Sequence, residues 1–187
     1  MKVSILGPTN MEKFSKIINK PIEQIKSISI NLGKILAENG CEVFVVFNYS
    51  GMLKLVGDSY KKHGGKLNVI YTENDYDWDT DIYMKHLEEA DIKIKKESWY
   101  DMLLSLVKDS DLVICAGLSA GVLAELGYMK WNYQEKKGNV KALIGIKELL
   151  RNEEFPPEIT LDMEKCIIIS SIDKLSKVVQ RFNPLTS

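Results

Sequence analysis

"DSDLVICAGLSAGVLAELGYMKWN", residues 109–132, is the stretch on which the fold turns. Leu112 to Cys115 is an unbroken apolar run, too short for a helix and suited to a strand buried on both faces. The small residues Ala116, Gly117, Leu118, Ser119, Ala120 and Gly121 follow. From there the apolar residues recur at helical spacing, with Ser119 placed to cap the helix start. A buried strand, a tight loop and a helix form the unit from which parallel α/β sheets are wound.

The same unit recurs on either side. Val3 to Leu6 is a short β-rich run closed by Gly7 and Pro8. Ile22, Ile25, Ile28, Leu32, Ile35 and Leu36 then predict a helix stopped by Gly40. Glu42 to Phe47 reads as a second strand, Met52 to His63 as a helix ended by Gly64 and Gly65, and Leu67 to Tyr71 as a third strand. After the fourth strand at Leu112 to Cys115 come strands at Val140 to Ile146 and Ile167 to Ile169, and a last helix at Ile172 to Arg181. This alternation predicts a single-domain, Rossmann-like, doubly wound parallel sheet over residues 1–187, with right-handed crossovers and helices on both faces. Residues 72–98 fit either an added hairpin, from the alternation of Ile92 and Ile94 with charged residues, or a partly helical segment.

Composition narrows the functional classes. The 187 residues carry a net charge of −1, which gives no reason to expect a nucleic-acid polymer as partner. Three well-separated cysteines, Cys41, Cys115 and Cys166, argue against a disulfide framework and a clustered metal site, and fit a reducing cytoplasm. The first apolar run is too short for a signal peptide, and none approaches the ~20 residues of a membrane helix. No cofactor motif is recognised. Asp75, Asp77, Asp79 and Asp81 alternate like calcium ligands, but Thr80 and His86 occupy the positions that require Gly and Glu, so no metal site is expected.

In such sheets ligands bind at the carboxyl ends of the strands, where the winding reverses. Three strand ends here are built for it: Gly7, Pro8, Thr9 and Asn10; Tyr49, Ser50, Gly51 and Met52; and Gly117, Leu118, Ser119, Ala120, Gly121 and Val122. Each leads towards a helix start, whose free N–H groups and positive dipole end suit phosphate or carboxylate. Glu125 lies in the second turn of its helix and leans back over Gly121, which leaves that patch bare. Turn-building and a helix-surface glutamate are the alternatives to a site.

The order of elements and the two loop motifs resemble the LOG family of Rossmann-like nucleotide proteins, also called lysine decarboxylase-like. The first motif corresponds to the run from Ser50 through Gly57 followed by Gly64 and Gly65. The second, Pro-Gly-Gly-x-Gly-Thr-x-x-Glu, corresponds to Gly117 through Glu125. Active LOG-like proteins are phosphoribohydrolases and dimers, so the resemblance implies a nucleotide ligand, a homodimer and a catalytic role for Glu125. Leu118 and Ser119 depart from the paired glycines, Val122 from the threonine, Lys54 from a first-loop glycine, and Met102 stands at the position of the catalytic arginine. These departures imply an alternative: a nucleotide sensor or binding module without catalysis. Glu125-Leu126-Gly127-Tyr128 is also similar to a segment of nucleoside 2-deoxyribosyltransferases and nucleotide N-glycosidases, whose glutamate is the nucleophile at the sugar, and "KVSILGPTN" resembles their opening strand. Tyr128, Met129, Trp131 and Tyr133, apolar and largely aromatic, mark the expected dimer surface.

Overall fold

The computed structural model describes residues 1–47, 50–74 and 87–183. Its sheet contains β1 (Lys2–Leu6), β2 (Glu42–Val46), β3 (Asn68–Tyr71), β4 (Ile92–Lys95), β5 (Leu112–Cys115), β6 (Ala142–Ile146) and β7 (Ile167–Ser170). The order across the sheet is β4-β3-β2-β1-β5-β6-β7, and every neighbouring pair is parallel. Winding starts at β1, proceeds outward to β4, then returns to β5 on the other side of β1. The switch point therefore lies between β1 and β5, whose register pairs Val3 with Leu112 and Leu6 with Cys115.

The helices are α1 (Met11–Ile18), α2 (Ile22–Glu38), α3 (Met52–Lys62), α4 (Trp99–Lys108), α5 (Ala120–Gln134), α6 (Pro157–Met163) and α7 (Leu175–Gln180). α2 packs on α1, α3 and α7, while α5 packs on α4 and α6. Right-handed crossovers that reverse direction at β1 put these two groups on opposite faces of the sheet. The central strands are covered on both faces, so β1, β2, β5 and β6 are buried along almost their whole length. α2 and α3 approach closely at Gly33, where a Cβ would lie 2.2 Å from the Val56 carbonyl oxygen.

The doubly wound parallel sheet is as the sequence predicts, with differences at its margins. Ile92 and Ile94 do lie in a strand, β4, but it is an edge strand that pairs in parallel with β3, from Asn68–Ile92 to Tyr71–Lys95. Its residues are exposed or half-buried on both sides, so the alternation of Ile92 and Ile94 marks a strand but not its partner. α1 was not expected, because Phe14 is its one buried residue and eight residues give little periodicity. α6 is similarly short, with Pro157 in its first turn. The fifth predicted strand begins at Ala142 rather than Val140, and the last helix opens as a 3-10 turn at Ile172–Lys174. Asp75, Asp77, Asp79, Asp81 and Tyr49 lie outside the described residues.

Candidate functional site

The strand-end loops meet around Gly7. A Cβ there would lie 3.1 Å from Met52 Sδ, 3.3 Å from Leu53 Cδ2 and 3.6 Å from Ala116 Cβ, so the ends of β1 and β5 and the start of α3 share one point. Gly51, at φ +52°, presses on the loop after β1: a Cβ would come within 2.1 Å of the Thr9 carbonyl oxygen. Gly117, at φ +119°, is backed by the Phe14 ring, whose Cζ would be 2.3 Å from a Cβ. Both are left-handed positions hemmed in by neighbours, where glycine alone fits without strain.

Two adjoining clefts open from this junction. The first, of about 320 Å³, has walls from β1, β2, α4 and α5. Val46, Leu53, Trp99, Leu103 and Leu106 make it largely apolar, and Glu125 is its one ionisable lining residue among the described residues. The second, of about 350 Å³, lies between α1 and the start of α5 and contains Asn10, Lys13 and Ala120. Thr9, Ser119 and Gly121 line both.

Each cleft is served by a capped helix start. Asn10 caps α1, its Oδ1 accepting from the Lys13 N–H at 2.9 Å. Ser119 caps α5, its Oγ accepting from the Val122 N–H at 3.3 Å. Gly121 leaves the first turn of α5 bare, since a Cβ there would meet only Ser119 Oγ at 3.9 Å. Lys13 is exposed and makes no ion pair among the described residues.

Glu125 is half-buried and has no hydrogen-bond or ion-pair partner among the described residues. Removal from water is the one cause acting on it, and it pushes the carboxyl from 4.5 up to about 7. Cys115, at the end of β5, is wholly buried, and desolvation holds its thiol near 12, so it is inert there. The indole of Trp99 meets Phe47 edge-on, with centroids 6.3 Å apart at 71°, which fixes the ring at the cleft wall.

Of the residues singled out in the sequence, Gly7, Thr9, Ser119, Gly121, Val122 and Glu125 line the first cleft. Pro8, Asn10, Leu118 and Ala120 join Thr9, Ser119 and Gly121 in the second. Ser50, Gly51, Met52 and Gly117 line neither: Met52 is fully buried, and the two glycines shape the backbone. Leu118 and Ser119 keep negative φ, so the absence of paired glycines costs the loop nothing. Met102 is fully buried, a core position rather than one facing the cleft. Lys54 is engaged with Asp58 and Glu89 at 2.5 and 3.1 Å, and Lys108 lines a separate polar cleft beside β4 and α4. Neither lysine therefore stands at the clefts as a substitute for the arginine that the LOG-like resemblance would place there. Lys13 and Trp99 escaped sequence reading. The Ser98-Trp99-Tyr100-Asp101 capping pattern was the available signal for Trp99, and Ser98 does cap α4. Among the described residues no group of three or more His, Cys, Asp or Glu is arranged to hold a metal ion, and no helix is long and apolar enough to cross a membrane.

No family model matches the chain, and no curated protein matches it. Solved structures do. The molybdenum cofactor carrier protein of Chlamydomonas reinhardtii superposes with a TM-score of 0.64 at 16% identity, covering 97% of this chain and 96% of its own. The molybdenum cofactor binding protein of the phototrophic bacterium Rippkaea orientalis gives 0.61 at 17%, covering 96% and 95%. At such identities the likeness establishes a shared Rossmann-like fold over nearly the full length of both chains.

Proposed function

We propose that the protein is a binding module for a phosphorylated heterocyclic small molecule, a nucleoside monophosphate or a ligand of like build. The observation that carries this reading is the pair of adjoining clefts sharing Thr9, Ser119 and Gly121. One is apolar and flanked by an aromatic ring, as a planar heterocycle requires. The other offers two helix starts and Lys13, as a phosphate requires. The neighbours in fold are named for carrying or binding the molybdenum cofactor, so that cofactor belongs among the ligands to test. The LOG-like resemblance supports a nucleotide. The apolar outer face of α5 supports a homodimer, and three buried free cysteines support a reducing, cytoplasmic setting.

A second reading, hydrolysis of an N-glycosidic bond, is favoured by Glu125 alone. A carboxyl titrating near 7 in a cleft suits general acid–base work. Against it, glycoside cleavage ordinarily uses two carboxyl groups, and no second one lines the cleft among the described residues. Titrating nucleoside monophosphates and the molybdenum cofactor into the protein, while following free base, separates the two. Saturable binding without base release is expected. Base release that Glu125→Gln abolishes establishes the enzyme, and no binding of any ligand ends the module reading.

A further inference from the structure

Phosphate binding leaves Glu125 unexplained. Its carboxyl sits in the apolar cleft, desolvated and unpaired among the described residues, at a standing cost that nothing in the fold offsets. The cleft opposes it with Val46 and Leu53 from one side of the junction and Trp99, Leu103 and Leu106 from α4. A planar ring inserted between these walls would have Glu125 as the charged group of the described lining within its reach.

We propose that Glu125 reads the edge of the bound heterocycle and selects rings that present two adjacent N–H donors, a ring N–H beside an exocyclic amino group, as guanine does. This rests on the binding-module reading and names its ligand class. A carboxylate has only acceptors, and its two oxygens match two parallel N–H donors as they match an arginine fork. Adenine presents an amino group beside a ring nitrogen that is itself an acceptor, so one carboxylate oxygen meets a lone pair. Hypoxanthine offers the ring N–H without the amino group and leaves one oxygen unsatisfied. At a carboxyl already partly removed from water both mismatches are costly, which makes the carboxylate a selector as well as an anchor.

The pairing requires the ionised carboxylate. The titratable group that acts on Glu125 from β5 is Cys115, whose thiol burial pushes up to about 12; Lys13 lines the adjoining cleft, and the remaining described lining of the apolar cleft is non-ionisable. Affinity for a two-donor ring therefore rises with pH until Glu125 is ionised. The phosphate ligand also titrates near 6, but equally for wild type and variant.

The test is calorimetric titration of GMP, IMP and AMP into wild type and Glu125→Gln at pH 5.5 and 8, with circular dichroism to confirm that the variant is folded. Wild type is expected to bind GMP at least about tenfold more tightly than IMP or AMP, with the gap wider at pH 8. An amide offers one donor and one acceptor, the pattern that complements adenine, so in Glu125→Gln the GMP preference should collapse or invert and its pH dependence should flatten. Equal affinity of wild type for GMP and AMP overturns the proposal and leaves the binding module standing. So does a GMP preference that survives in Glu125→Gln. Failure of all three nucleotides to bind wild type overturns the proposal, and overturns the binding module too if the molybdenum cofactor also fails to bind.

Discussion

At the scale of single residues, Glu125 and Gly117 carry opposite lessons. The carboxyl of Glu125 keeps its proton to about 7 in the folded chain, against 4.5 ordinarily. The folded state thus holds the proton to higher pH than the unfolded chain. The stability linked to it is complete below 4.5 and is lost as pH rises to about 7, a change on the order of 2 to 3 kcal/mol. Glu125→Gln should be more stable than wild type at pH 8, with the difference shrinking towards pH 4.5. Urea denaturation at the two pH values measures this, and equal stability at pH 8 would contradict the desolvation argument. Such a cost, borne at a ligand site, is where stability and function conflict. Gly117 is needed for shape alone. Gly117→Ala forces a side chain into left-handed backbone and against Phe14, and should cost about 2 kcal/mol in the same assay. A neutral result would mean that the loop after β5 yields easily.

Among the elements, α5 is unusual. Its buried residues are Val122, Leu126 and Met129, yet its outer face is also apolar: Leu123 is 40% exposed, Tyr128 44% and Trp131 59%. Met129 belongs to the core and not to the surface on which the sequence placed it, and Tyr133 is half-buried, so the outward stripe is Leu123, Gly127 and Trp131 with Tyr128 beside it. A helix apolar all round is normally buried all round. Trp131→Glu should therefore shift sedimentation from twice the 21.3 kDa chain mass to the single-chain value. A wild type that already sediments as one chain would remove the dimer. The same helix depends on its cap. Ser119→Ala leaves an N–H of the first turn unpaired and should lower stability by about 1 kcal/mol. At the α2–α3 contact, Gly33→Ala sets a methyl against the backbone of α3 at 2.2 Å, which no rotamer relieves. A loss of about 2 to 4 kcal/mol is expected by thermal or urea unfolding.

At the scale of the whole molecule, the sequence determined the class of fold and the residues around which a site would form. Apolar runs such as Glu42–Val46 and Leu112–Cys115 can only be strands covered on both faces, and the helical spacing between them dictates parallel winding. Strand-end loops rich in Gly, Ser and Asn are legible because backbone chemistry is local: Ser119 was readable as a cap, and Gly121 as a bare patch below Glu125. The strand order was not legible. That β1 lies beside both β2 and β5 depends on which apolar faces pack together across the chain, and that pairing brings Thr9 and Ser119 into the same two clefts. α1 escaped notice because a short helix carries little periodicity, and the alternation of Ile92 and Ile94 marked a strand at β4 without showing that it pairs in parallel with β3. Trp99 and Lys13 escaped because each gains its meaning from a neighbour distant in sequence. Only the tertiary structure divided the site into an apolar chamber and a cationic one. Only it left Glu125 desolvated and unpaired among the described residues, because desolvation is a property of surrounding packing, which no local pattern encodes.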